Sequence, residues 1–191
     1  MQDYGLSLVT GPTAEPVSLA EAAAHLRIDT PEEGDPLHAE LSAWIKAARL
    51  YAEKHTGRKF GDQTWKLTLD EWPIEPIRLP GATSITSVVY VDEDGDEQTL
   101  DASTFQLRTD KMPTLLDLAY NQTWPTLRGD AGGIRITFVC GETAPETVKA
   151  AMKLMVGWHD ANREGNGDAE YSPTITRLLD LESTGLLYGV A

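Results

Sequence analysis

The spacing of apolar residues changes twice along this chain, and those changes limit the folds that it can adopt. Residues 18 to 57 repeat apolar side chains at three- and four-residue steps, the period of one helix face. From residue 63 to residue 140 most runs alternate, as half-buried strands do, and helical spacing returns after Pro145. This block order predicts the α+β class, with a helical core of three to four helices and an inserted antiparallel β domain.

Local signals give the limits of the helices. Ser18 and Glu21 have the capping-box spacing at the start of "SLAEAAAHLRI". The second helix, "PLHAELSAWIKAARLYAEKHTG", has Pro36 in its first turn and Gly57 available to end it in a left-handed conformation. In the third, "APETVKAAMKLMVGWHDANRE", the apolar arc covers about 200°. Such a helix lies either in the middle of its own domain or against a neighbouring subunit.

The central block predicts about five to seven short strands in a Greek-key or meander arrangement. Strands are expected in "QTWKLTLD", "SITSVVYVD", "TFQLR", near "TLLDLAY" and in "GIRITFVCG". The three prolines of "WPIEPIRLP" favour an edge strand or connector, and the first residues form a loose opening. We therefore divide the chain into helical residues 1–60, a β-rich insert at 61–143, a long core helix at 144–165, and a linker and tail at 166–191.

An acidic stretch, "YVDEDGDEQTL", raises the question of a calcium site. An EF-hand loop starting at Asp92 needs glycine at position six and glutamate at position twelve, where this chain has Glu97 and Ser103. Alternating residues flank the stretch, and Asp94 with Gly95 suits a type I′ hairpin turn. We predict a solvated acidic hairpin tip whose carboxylates are Asp92, Glu93, Asp94, Asp96 and Glu97.

Composition excludes several kinds of protein. The net charge of −14 and the isoelectric point near 4.6 argue against ordinary DNA binding, although an acidic channel wall lets DNA pass without sticking. Cys140 is the only cysteine, so no intrachain disulfide or CxxC motif is possible. The start of the chain lacks a basic leader, and no apolar run approaches the roughly 20 residues of a membrane span. We expect a soluble, unsecreted protein.

The sequence offers no constellation of catalytic residues. His25, His38 and His55 lack the HxxxH and HExxH spacings of metal sites, and glycine patterns that cradle phosphates are missing. Adjacent His159 and Asp160 point about 100° apart on a helix, so they share no ligand face. Basic residues near the end of the second helix, including Arg49, are predicted to complement the helix dipole. No catalytic, cofactor or metal site and no enzymatic activity are predicted.

The order of several segments resembles the head-tail connector, or adaptor, family of long-tailed bacteriophages and gene transfer agents. They are "PVSLAEAAAHLRID", "LHAELSAWIKAARLYAEKHTGRKF", "QTWKLTLDEWP", "IRLPGATSITSVVYVDEDGDEQTL" and "VKAAMKLMVGWHDANRE", from about Glu15 to Glu164. The resemblance implies a structural ring, usually dodecameric, beneath the capsid portal protein. It joins the portal to the stopper or tail-terminator protein and leaves a channel through which DNA passes without specific binding. The expected location is the head-tail interface of a virion or phage-like particle assembled in the bacterial cytoplasm, without membrane contact.

The resemblance also suggests two sets of contact residues. Subunit packing would use the third helix through Leu154, Met155, Trp158, His159 and Arg163. Because the family's segment after this helix reaches towards the portal, portal contact would use the apolar tail residues Leu178, Leu179, Leu186, Leu187 and Tyr188. The family's usual proline- and arginine-bearing ending is poorly matched by "LLDLESTGLLYGVA".

Two alternatives remain open at this point. The chain could be a small acidic calcium-binding or hydrolytic protein in which Asp92, Asp94 and Asp96 gather the ion. It could also be a stopper or tail-completion protein of the same particle.

Overall fold

The computed structural model describes residues 5–111, 113–163 and 171–184. Within them the chain forms four α-helices and eight antiparallel strands, which confirms the α+β prediction. In chain order they are β1 (Gly5–Thr10), α1 (Leu19–Leu26), α2 (Pro36–Thr56), β2 (Gln63–Leu69), β3 (Ile77–Leu79), β4 (Ala82–Val91), β5 (Glu97–Thr99), β6 (Phe105–Arg108), β7 (Thr114–Leu118), β8 (Ile134–Cys140), α3 (Glu146–Ala161) and α4 (Pro173–Asp180).

The chain divides into two compact units. The β unit comprises Met1–Pro12 and Asp62–Glu142, and the helical unit comprises Thr13–Gly61 and Thr143–Ala191. The opening of the chain therefore belongs with the sheet and not with the helical residues 1–60 of the predicted division. Its strand β1 is exposed at all but one position, so it carries little of the alternation by which a strand is recognised.

The β unit contains a five-stranded sheet in the order β1-β2-β8-β4-β5 and a three-stranded sheet in the order β3-β7-β6. Strand β8 lies between β2 and β4, and every second residue from Ile134 to Cys140 is buried. Leu67 and Leu69 of β2 belong to the same core. Strand β3, which lies between Pro76 and Pro80, is at an edge of the smaller sheet, as the prolines of this segment predicted.

The helical unit begins with the predicted capping box. The Ser18 Oγ accepts from the Glu21 amide at 3.2 Å, and the Glu21 carboxylate accepts from the Ser18 amide at 2.8 Å. Helix α2 follows an Asp35 N-cap and ends at Gly57 with φ 70°. Both predicted helix limits are thus confirmed.

The apolar residues of the wide arc on α3 pack against other helices of the helical unit. This helix contacts α1, α2 and α4, and its buried residues include Val148, Met152 and Val156. Of the two explanations considered from the sequence, a position in the middle of its own domain accounts for the arc. No helix in the described part of the chain is both long and apolar enough to cross a membrane.

Candidate assembly surfaces

A buried group of charged side chains ties the helical unit together. Arg49 is 2% exposed and donates from Nε to Glu15 at 2.7 Å and from Nη1 to Glu53 at 3.0 Å. Glu53 also accepts from the Phe60 amide at 3.1 Å, and the Lys59 Nζ lies 3.7 Å away. Arg49 therefore links α2 to the segment before α1, and the prediction that it acts as a cation at the helix end was wrong.

An aromatic cluster formed by Trp44, Trp158, His159 and Tyr171 joins α2, α3 and the residues that precede α4. His159 stacks on Trp44 with ring centroids 6.2 Å apart and meets Trp158 edge-on at 5.3 Å. The Tyr171 hydroxyl lies 2.9 Å from the His159 Nε2. Burial lowers the pKa of His159 below its usual range, so the neutral ring is favoured, and its Nε2 shares a hydrogen bond with the tyrosine hydroxyl.

The predicted subunit-interface residues occupy different environments. Met155 is fully buried in the helical core, where it is not available to a neighbouring subunit. Trp158 and His159 are half-buried in the aromatic cluster, whereas Leu154 is 37% exposed. The Arg163 guanidinium lies 5.0 Å above the Trp44 ring. Leu154 and Arg163 thus provide the most exposed part of this set.

The predicted portal-contact residues are divided in the same way. Leu179 is fully buried, and Leu178 is half-buried against the helical core, so the free apolar tail expected at these positions is not found there. The cause is the amphipathic spacing of α4, which places Ile175 and Leu179 on the buried side. Leu186, Leu187 and Tyr188 lie outside the described residues.

Polar contacts hold the residues after α4 against α2 and α3. The Glu182 carboxylate accepts from the Arg58 Nη1 at 2.7 Å and from the Thr147 hydroxyl at 2.5 Å. The Thr184 amide donates to the Thr56 carbonyl at 3.0 Å, which satisfies an acceptor in the last turn of α2. The segment from α4 to Thr184 is therefore an integral part of the helical unit.

The acidic stretch forms the predicted hairpin, with a different turn. The Gly95 amide donates to the Asp92 carbonyl at 3.1 Å, and the Asp92 amide donates to Asp96 at 3.0 Å. Gly95 has φ 93°, but Asp94 is not among the described residues with positive φ. The loop therefore has three residues, Glu93 to Gly95, with glycine alone in the left-handed region, and the type I′ assignment was wrong.

Asp92 is the carboxylate that forms the side-chain hydrogen bonds within this hairpin. Asp92 accepts from the Gln98 side chain at 2.8 Å and from two backbone amides of the turn, and these hydrogen bonds lower its pKa. The Arg128 guanidinium lies directly over the glycine of the turn, and Arg135 pairs with Glu97 at 2.5 Å. The described residues contain no group of three or more side chains placed to hold a metal ion.

Two large apolar side chains of the β unit are exposed in loops that the sequence did not predict to be apolar. Ile74 and Tyr120 are 105% and 91% exposed. The loop that carries Ile74 is anchored by Trp72, which stacks on Trp124 at 4.4 Å and donates to the Pro125 carbonyl at 3.0 Å. The signal for this loop in the sequence is an isoleucine between two prolines. The prolines predict an edge strand or connector, but they do not indicate that the isoleucine is exposed.

Comparison with known proteins identifies the fold. Neither a protein-family model nor a curated protein sequence matches the chain. A chain in the virion of a native gene transfer agent particle has a TM-score of 0.75 at 23% identity, covering 94% of this chain and 95% of the other. A chain in the neck of an empty gene transfer agent particle, computed with C6 symmetry, gives the same values.

A third solved structure extends this similarity. A chain in the neck of a native gene transfer agent particle, computed with C12 symmetry, has a TM-score of 0.71 at 20% identity and covers 94% of each chain. The class that these comparisons define is that of chains with the fold of a gene transfer agent neck component. The similarity extends over both units of this chain, because each comparison covers 94% of its residues.

Proposed function

We propose that this chain is a structural head-tail connector of a phage-like particle. It forms a ring beneath the portal, joins the portal to the stopper and tail, and leaves a channel for DNA. The observation that carries the proposal is the fold shared with chains in neck structures of gene transfer agent particles over 94% of the sequence. The C6 and C12 symmetries computed for those necks favour a closed ring here.

The charge of the chain supports this role. With a net charge of −14, a ring of copies surrounds its axis with negative potential, which keeps a DNA duplex from adhering to the wall. The acidic hairpin would contribute a repeated fringe of carboxylates, of which Asp92 is held ionised by its hydrogen bonds. A structural conduit needs this low affinity and needs no catalytic site.

Portal contact is assigned to the tail after Thr184, which includes Leu186, Leu187 and Tyr188. A truncation test must respect the fold, because removing everything after Ser172 also removes Ile175 and Leu179 from the helical core. Ending the chain after Thr184 keeps those core residues and the contacts of Glu182. We expect this shorter truncation to fold normally and to lose attachment to filled capsids; normal attachment would exclude the tail as the contact.

The decisive experiment is to image particles assembled without this chain. A connector predicts DNA-filled heads that lack tails, and supplying the full-length chain should restore the tails. Normally tailed particles would contradict the proposal. Crosslinking in complete particles then separates the roles within the neck: an adaptor crosslinks directly to the portal protein, whereas a stopper crosslinks to other neck proteins and not to the portal.

A further inference from the structure

Helix α2 carries an apolar projection between two unpaired cations. Lys46, Leu50 and Lys54 follow one another at four-residue steps and so share one helix face. All three are exposed, Leu50 by 46%, and neither lysine forms an ion pair with any described residue. Ala43 and Ala47 adjoin them on this face and are small enough for another surface to approach closely. We call Lys46, Leu50 and Lys54 the α2 knob.

The loop between α1 and α2 has the opposite character. It forms a hollow of about 550 Å³ whose apolar lining includes Ile28, Pro31 and Leu37. Three acids at the hollow, Asp29, Glu32 and Glu33, are exposed and form no ion pair within the described part of the chain. Ile28 is itself 39% exposed, although its side chain is large and apolar. We call this surface the loop hollow.

The knob and the hollow of one copy cannot meet. Both belong to the helical unit, and Leu37 and Leu50 are 13 residues apart on the same continuous helix, or about 20 Å at the α-helical rise. The helix is stabilised along this length by Leu41, Ile45 and Ala48, which are buried in the core. Each surface therefore requires a second molecule.

We propose that the α2 knob of one copy docks into the loop hollow of the next. Leu50 would enter the apolar lining, while Lys46 and Lys54 would meet the acids at the hollow. Because the two surfaces differ, the association is head to tail, and such contacts generate a ring when the rotation between copies closes. Copies with a net charge of −14 repel one another overall, so locally paired charges also fix which faces can meet. This inference rests on the proposed role as a ring-forming neck protein.

Charge exchange tests the pairing in assembled particles. Lys46→Glu with Lys54→Glu, and separately Glu32→Lys with Glu33→Lys, should each lower the number of copies per purified particle at least tenfold, measured by quantitative mass spectrometry. Combining all four substitutions should restore most of the loss, since the charges are again complementary. Lys66→Glu with Lys111→Glu in the β unit is the control, because it changes the net charge as much as the knob variant does.

Disulfide trapping tests the same contact in the purified chain and in particles. Because the native Cys140 is buried, a variant with both Ile28→Cys and Leu50→Cys should give a ladder of covalent multimers on oxidation, whereas neither single variant should extend beyond a dimer. Ile28 lines the hollow together with Leu37, and Leu50 lies about 20 Å further along α2 than Leu37, which is too far for an intrachain bridge, since that needs Cα atoms within about 7 Å. Normal incorporation of the charge variants, or no ladder in particles, would overturn the interface. Tailless particles in the absence of the chain would still support the connector role in that case.

Discussion

The two units of this chain bury different kinds of side chain. The buried residues described in the β unit are uncharged: most are apolar, among them Ile134, Ile136 and Phe138 on the central strand, and Gln63 and Thr114 are polar. The helical unit surrounds a comparable apolar core but also encloses Arg49 and Glu53, with side chains 2% exposed. In the β unit, the described ion pairs lie on exposed or half-exposed side chains, such as Arg135 with Glu97.

This difference concerns what makes each unit adopt one arrangement of its strands or helices. Alternation fixes the register of the β unit, because a shift of one residue would turn the apolar side chains of β8 towards the solvent. Apolar faces on helices allow more than one packing, and buried ion pairs with fixed partners select one of them. We infer that Arg49 has this role, since it joins α2 to Glu15, which lies before α1.

The largest effect is expected from breaking the buried charge group. Arg49→Met should lower the free energy of unfolding by about 3–5 kcal/mol, because it leaves Glu53 buried without its main cation. Arg135→Met in the β unit should cost at most about 1 kcal/mol, since its pair with Glu97 is solvent-exposed. Urea denaturation followed by far-ultraviolet circular dichroism measures both.

A double variant sharpens this comparison. Arg49→Met with Glu53→Gln removes both charges but keeps an oxygen that accepts from the Phe60 amide, so it should be more stable than Arg49→Met alone, which leaves a carboxylate buried. If Arg49→Met and Arg135→Met cost the same, the contrast between the two units is wrong. Equal stability of the single and double variants would show that the charge left on Glu53 is not the source of the loss.

Elements with strong local signals could be predicted from the sequence. The capping box at Ser18, the glycine end at Gly57 and the alternation through Phe138 each depend on nearby residues alone, and the structure has all three. The hairpin was predicted for the same reason. Its turn type was wrong because the sequence does not distinguish a two-residue loop from a three-residue loop that ends in glycine.

Features that depend on distant parts of the chain could not be predicted in this way. Strand β1 is defined by pairing with β2, more than 50 residues later, and its own residues are mostly exposed. From the sequence alone Arg49 is expected to be a surface cation, because its partner Glu15 is distant along the chain. Likewise, the sequence around Leu179 is that of an exposed apolar tail. Only the packing of this residue against the other helices shows that it belongs to the core.

A smaller effect is expected at Gly95 of the acidic hairpin, for which Gly129, before β8 in the same unit, provides a matched control. Gly95 and Gly129 both have φ 93°, so replacement by alanine strains either backbone by about 1–2 kcal/mol. A Cβ at Gly95 would also collide with the Arg128 guanidinium, whereas Gly129 has open space around it. Because this guanidinium is the movable end of an exposed side chain, Gly95→Ala should lower the free energy of unfolding only slightly more than Gly129→Ala does.

The Gly95 prediction also has a control in Arg128. In an Arg128→Ala background the obstructing side chain is absent, so the two glycine substitutions should cost the same amount. A difference that persists in that background would mean that the turn geometry, and not the arginine, distinguishes Gly95. The comparison uses the same denaturation measurement for all variants.

The smallest effect is expected from the titration of His159 in the aromatic cluster. Burial lowers its pKa in the folded protein below the ordinary value of 6.5, so between the two values the unfolded chain binds more protons. Stability should therefore be complete above about pH 6.5 and fall as the pH drops towards the folded pKa. The effect is small because the ring is only half-buried.

His159→Phe keeps an aromatic ring against Trp44 but cannot titrate, so its free energy of unfolding should fall less than that of the unsubstituted protein between pH 7 and pH 5. An unchanged slope in His159→Phe would mean that other groups cause the pH dependence and that the aromatic cluster does not depend on a neutral histidine.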